Sequence, residues 1–207
     1  KYKELIMHIK NSKFYLKITF SYLAFFFIFC SHNVMAKENI DSWLQELRLE
    51  ALSKGIREDT FKIAFKGFKP IARIIELDRR QPEFTLTFQQ YLNKVVPSSR
   101  VKRGKKKYKE NKNLIDKISK EYGVQPRFIM AFWGVETSFG RHFGGFSVVH
   151  ALATLAFDGR RSRYFRSELL RALRILNQGH ISHNQMKGSW AGAMGNFQFM
   201  PSSFENF

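Results

Sequence analysis

The chain has 207 residues, enough for one domain or one and a part, and at 44% hydrophobic and 15% aromatic it can bury a sizeable core. Its formal net charge of +18 points to an anionic partner: nucleic acid, a membrane surface or an acidic polymer. The one cysteine, Cys30, excludes a disulfide framework. Because it lies in a segment that reads as removable, Cys nucleophiles and Cys-based metal sites drop out of the mature chain too.

Residues 1–36 carry the pattern of a secretory signal, with Met7 fitting a translational start. Lys10, Lys13 and Lys17 precede an apolar run from Ile18 to Cys30, and Val34-Met35-Ala36 offers a small-x-small cleavage site before Lys37. The run is short of the roughly 20 apolar residues of a membrane span. A cleaved signal ranks first, an uncleaved anchor second and a lipoprotein third. For the last, Phe27 and Phe29 stand where such a signal has a leucine and a small residue before Cys30. Five Lys and one Glu in this segment give +4, leaving +14 of the +18 to residues 37–207.

Ile40 to Gly55 reads as an amphipathic helix capped by Asp41 or Ser42, with Trp43, Leu44, Leu47 and Leu52 as its stripe. A second short helix is expected within Arg57–Phe68, burying Ile63, Ala64 and Phe68, and a third over Pro70–Asp78, carrying Ile71, Ile74, Ile75 and Leu77. Asp78 to Glu83 reads as a turn, and Phe84 to Val96 as either strand or helix. After Pro97-Ser-Ser99 come seven basic residues between Arg100 and Lys109. Nucleic-acid binding would want aromatic interleaving beyond Tyr108 and a chain that is not exported. A solvated helix face is the simpler reading, with peptidoglycan and anionic lipid head groups as weak partners. Leu114, Ile115, Ile118 and Tyr122 before Gly123 form another periodic stretch, and Ser167 to Gly179 a further helix with Leu169, Leu170, Ala172, Leu173, Ile175 and Leu176 inward. No stretch alternates strongly as a strand, so the fold is expected to be mainly α.

Three stretches carry chemistry. In the first, Pro126 suits a helix start and Gly140 lies just past a helix end. Between them Phe128, Ile129, Phe132, Trp133 and Glu136 share a face. Apolar neighbours and the negative helix end both disfavour a charged carboxylate at Glu136, the condition for a general acid acting on a sugar–sugar bond. The plainer alternative is a helix-end glutamate in solvent or paired with Arg141. The second stretch, Gly188 through Ser203, supplies small residues for close approach of backbone or ligand. Its Ser189, Asn196 and Gln198 offer hydrogen bonds, and Trp190, Phe197 and Phe199 offer flat faces for sugar rings. A tight helix contact would use the same small residues. The third stretch, Leu155 to Arg161, puts two guanidiniums after a turn, suited to carboxylates or to pairing with Asp158.

Taken together, the chain resembles the lytic murein transglycosylase B family of periplasmic cell-wall enzymes. The matching pieces are Asp78-Arg-Arg-Gln-Pro-Glu-Phe84, Trp133-Gly-Val-Glu-Thr137, Phe139-Gly140, Gly144-Gly145-Phe146, Ala151-Leu-Ala-Thr-Leu-Ala-Phe-Asp-Gly-Arg-Arg161 and Gly188 through Ser203, in the family's order. The resemblance implies an α-rich, lysozyme-like catalytic domain over residues 37–207, acting on peptidoglycan in the periplasm, with no nucleic-acid partner and membrane association only through the N-terminal segment. It implies Glu136 as sole acid and base, Ser189 and Gln198 near the sugar, Arg160 and Arg161 near the peptide stem, and Tyr91 along the cleft. Family members continue past the position of Phe207 with an acidic, calcium-binding loop. Nothing here resembles D-x-D/N-x-D/N-G, so no cofactor is expected in this chain, which reads as a fragment with its catalytic domain incomplete.

The implied reaction is non-hydrolytic and needs one protein carboxylate. A hydrolytic muramidase needs two, about 5–9 Å apart. Candidates for the second are Asp158, Glu168 and Glu205. Asp158 reads as the partner of Arg160 and Arg161, and Glu168 as an early-helix charge. A non-catalytic peptidoglycan-binding or scaffold protein is the third reading. Metalloenzyme chemistry finds no H-E-x-x-H or similar spacing among His142, His150, His180 and His183.

Overall fold

The computed structural model describes residues 39–80 and 86–207. The expected signal segment falls outside these residues, as do Gln81 to Glu83 of the expected turn. Ten helices appear among the described residues: α1 (Ile40–Ser53), α2 (Glu58–Ala64), α3 (Ala72–Arg79), α4 (Phe88–Val95), α5 (Ser98–Glu110), α6 (Lys112–Tyr122), α7 (Pro126–Thr137), α8 (Val148–Asp158), α9 (Ser162–Asn177) and α10 (Pro201–Asn206). Two short strands, β1 (Phe146–Ser147) and β2 (Lys187–Gly188), pair antiparallel. The mainly α expectation holds. Among the described residues no helix is long and apolar enough to cross a membrane.

The main core is built on α8. Its sequence is apolar all round, and Val148, Val149, Leu152 and Leu155 are all buried, as α3, α9 and β1 pack against it. The Ser147 hydroxyl accepts from the His150 amide to start α8, and Gly159 ends it at φ 90°. α9 supplies the facing stripe of Phe165, Leu169, Ala172 and Leu173, and it starts at Ser162, earlier than expected, because Phe165 belongs to that stripe. Trp43, Leu47 and Ala51 of α1 close the same core. In α2 the inward residues are Phe61 and Ala64, while Ile63 is 58% exposed. Phe61 tilts onto Phe65, which meets Phe68, and that aromatic row selects the face.

A second, smaller core joins α5, α6 and α7. Ile115, Met130 and Phe139 are its buried members, with Tyr108, Ile129 and Trp133 packed around them. The run that read as strand or helix is helical from Phe88, because Thr87 and Gln90 form a capping box. α5 is the basic run, and none of its residues is fully buried.

Candidate active site

The site is the end of α7 and the glycine-rich segment it touches. Pro126 opens α7 as expected, but the helix stops at Thr137, before Gly140. Ser138, Phe139 and Gly140 are all left-handed, with φ of 54°, 64° and 78°. That conformation is costly for residues with a Cβ, by about 1 kcal/mol each. Several contacts hold it. The Phe139 ring seats against Gly104 of α5 and Gly134 of α7, where an added Cβ would lie 2.9 and 2.7 Å from its Cζ. Arg103 Nη1 donates to Ser138 Oγ at 2.7 Å, so one cation of the basic run is structural. The Gly140 amide donates to Thr137 Oγ1 at 3.0 Å.

Glu136 lies on this last turn, exposed to solvent. The apolar setting expected from its own helix is absent: Phe128 and Phe132 share its face and are 49% and 62% exposed. The buried side of α7 is Met130, Gly134 and Thr137 instead. On either side of Glu136, two groups reach the same residue. Trp133 Nε1 donates to Asn196 Oδ1, and Thr137 Oγ1 donates to the Asn196 carbonyl, both at 2.8 Å.

Asn196 lies in the turn that closes a short antiparallel ladder. β1 pairs with β2, Gly188 bridges to Met194, and Met194 bridges to Phe199. The small residues serve backbone on backbone here. A Cβ on Gly144 would run into the Gly188 carbonyl, and one on Gly188 into the Ala193 carbonyl. Ser189 Oγ accepts from the amides of Ala193 (3.0 Å) and Ala191 (3.3 Å), locking the turn. Gln198, itself left-handed at φ 49°, donates through Nε2 to the carbonyls of Gly195 (3.0 Å) and Phe143 (3.3 Å). Phe199 is exposed and stacks on Phe197 at 6.2 Å. Trp190, expected as a sugar platform, packs partly against the main core.

The family described as Transglycosylase SLT domain matches residues 39–207, a span that takes in every described residue. This chain belongs to that family. It is 36% identical over 119 residues to the membrane-bound lytic murein transglycosylase B of Escherichia coli K12, covering 57% of this chain and 33% of that protein. Among solved structures it is similar to SltB3 from Pseudomonas aeruginosa in complex with NAG-NAM-pentapeptide, with TM-score 0.78 and 36% identity over 82% of this chain and 46% of that one. It is also similar to the Escherichia coli lytic transglycosylase Slt35 in complex with calcium, with TM-score 0.70 and 30% identity over 79% and 53%. The chain thus spans between a third and about half of these relatives' lengths.

Within this transglycosylase SLT domain, the two arginines differ from expectation. Arg160 donates to Asp78 Oδ2 at 2.7 Å and to Oδ1 at 3.0 Å, and Arg161 also bonds to Oδ1. Asp158, expected as their partner, pairs with Arg79 at 2.9 Å. Asp78 is 2% exposed. Burial pushes its carboxyl up, but the hydrogen bonds from Arg160 and Arg161 outweigh that and hold it below the usual carboxylate range. The other two candidates for a second catalytic carboxylate are also engaged. Glu168 is buried and accepts the Ser202 amide at 2.9 Å, and Glu205 binds Arg171 and Arg174 at 2.8 and 2.7 Å. Tyr91 is exposed on α4, and neither it nor Arg160 or Arg161 joins the bonds around Glu136. Among the described residues no three Asp, Glu, His or Cys side chains converge as metal ligands would. Sequence reasoning missed the roles of Trp133, Thr137 and Arg103. A hydroxyl directly after a helix-end glutamate was the available signal for Thr137.

Proposed function

We propose that this chain carries the acid and the cleft hairpin of a peptidoglycan lytic transglycosylase. The enzyme cleaves the β-1,4 bond between N-acetylmuramic acid and N-acetylglucosamine and yields 1,6-anhydromuramyl products. The carrying observation is the place of Glu136, exposed on a helix end that Trp133 and Thr137 tie to the glycine-rich hairpin. Glu136 protonates the leaving glycosidic oxygen as the C1–O bond breaks. The substrate's acetamido oxygen covers C1. The carboxylate of Glu136 then takes the proton from the muramyl C6 hydroxyl, whose oxygen closes onto C1 and frees the acetamido group. No water enters, and Glu136 ends protonated as it began. Support comes from relatives: one SltB3 structure holds NAG-NAM-pentapeptide and another NAG-anhNAM-pentapeptide. The engagement of Asp158, Glu168 and Glu205 elsewhere supports one carboxylate over a hydrolytic pair.

In this reading Ser189, Gln198 and Phe199 face the glycan, with Tyr91 farther along the cleft. The N–H groups of Arg160 and Arg161 left free by Asp78 meet stem carboxylates. Residues 1–36 export the protein to the periplasm, with cleavage after Ala36, and the +14 of the exported part draws it to the acidic mesh. Mass spectrometry of muropeptides released from purified sacculi tests the reaction, with Glu136→Gln as control. Products one water lighter than reducing-end sugars, absent in the control, are expected. Reducing-end products would mean a hydrolase, and sacculi bound without any products would mean a binding protein.

A further inference from the structure

We propose that Asn196 is a positioning residue for Glu136, acting through Trp133 and Thr137. This rests on the reading of Glu136 as the acid. The two bonds from Asn196 reach residues four apart on α7, and Glu136 lies between them on the same turn. Two attachments along one turn set both the rotation of the helix and where it ends. An indole N–H can only donate, so the carboxamide oxygen must face Trp133 and the amide nitrogen points away from it. A Cβ at Gly140 would lie 3.0 Å from the same oxygen, so the carboxamide sits closely against the turn that follows Glu136.

The turn gives the second reason. Ser138 and Phe139 hold a conformation that persists only where the surroundings over-determine it. Thr137 is central to that: its hydroxyl donates to the Asn196 carbonyl and accepts from the Gly140 amide. Strain is thus placed two and three residues after Glu136, and Asn196 secures it from the hairpin side. Among the described residues, the hydrogen bonds from the helix bearing Glu136 to the hairpin bearing Ser189, Gln198 and Phe199 meet at Asn196. A glycan seated on the hairpin therefore meets the carboxyl in a fixed direction.

The test uses the full chain, 15N-labelled, with the Trp133 indole N–H resonance assigned by its loss in Trp133→Phe. Asn196→Leu should move that resonance, and Asn196→Asp, which keeps an acceptor oxygen, should hold it near its original position. On solubilised glycan strands, Asn196→Leu and Trp133→Phe should each lower kcat for anhydro product by about tenfold with KM unchanged. The double variant should fall no further than either single, because both break one bond, and Asn196→Asp should recover most of the loss. An unmoved resonance overturns the proposal. So does a raised KM in Asn196→Leu that adds to the effect of Trp133→Phe, the result for a sugar ligand. If the wild type makes no anhydro product, the acid reading fails separately, and the resonance alone decides whether Asn196 holds the helix end.

Discussion

α7 and α8 are similar lengths of mostly apolar sequence put to opposite uses. α8 has eight of its residues buried, and α7 three. Other helices close around α8, so it holds the main core by area removed from water. α7 leaves the face of Phe128, Phe132 and Glu136 open, and it is held by a small core with Ile115 and Phe139 and by polar bonds to Asn196, far away in the chain. A residue proposed to meet substrate cannot also be enclosed. The helix carrying it has a smaller core and adds directional contacts, which need little area but tolerate little displacement.

The largest expected break of that contrast lies in the main core. Leu152 is fully buried beneath Gly192, where an added Cβ would strike its side chain. Leu152→Ala should cost about 3–4 kcal/mol, read from the urea midpoint at unchanged slope. Next is Phe139→Ala, which empties the seat between Gly104 and Gly134 and should cost about 3 kcal/mol. Here the loss should be local. Amide exchange should quicken in α5, α6 and α7 while α8 and α9 stay protected. Uniform loss of protection would show that the two regions unfold as one.

The smallest effect concerns pH and sharpens the contrast from the stable side. His150 links α8 to α2 through Nε2 and the Ala64 carbonyl at 3.1 Å, and it faces the Phe68 ring. Burial lowers its pKa, the nearby His183 and Lys187 lower it further, and the Ala64 bond opposes them. The unfolded chain therefore binds the proton more tightly. The contribution of His150 is whole above 6.5, its ordinary value, and is lost as pH falls through the lowered folded value. His150→Gln should flatten that part of the stability–pH curve. An unchanged slope would assign the titration to another group, with His183, whose pKa is also lowered by burial, the first to examine.

Much of α9 was legible because a buried stripe announces itself in residue spacing, whereas α8, apolar all round, offers no stripe and was not marked. Pro126 as the start of α7 and Glu136 on its last turn were legible for the same local reason. Ile63 was misplaced because the α2 sequence offers two apolar faces, and only the aromatic row of Phe61, Phe65 and Phe68 chooses between them. Arg160 and Arg161 were assigned to a neighbour in sequence, Asp158, while their partner Asp78 lies 82 and 83 residues away.

The amino-acid order alone was enough to mark several of the helices, the stripe of α9 and Glu136 as a candidate acid, because these depend on neighbours within a turn or two. Folding alone decided that Asn196 would receive both Trp133 and Thr137, that Phe139 would sit between two glycines thirty residues apart, and that Asp78 would gather both arginines. A donor's chemistry says what kind of partner it needs. Which partner stands within 3 Å is set by how helices distant in the chain come to lie against one another.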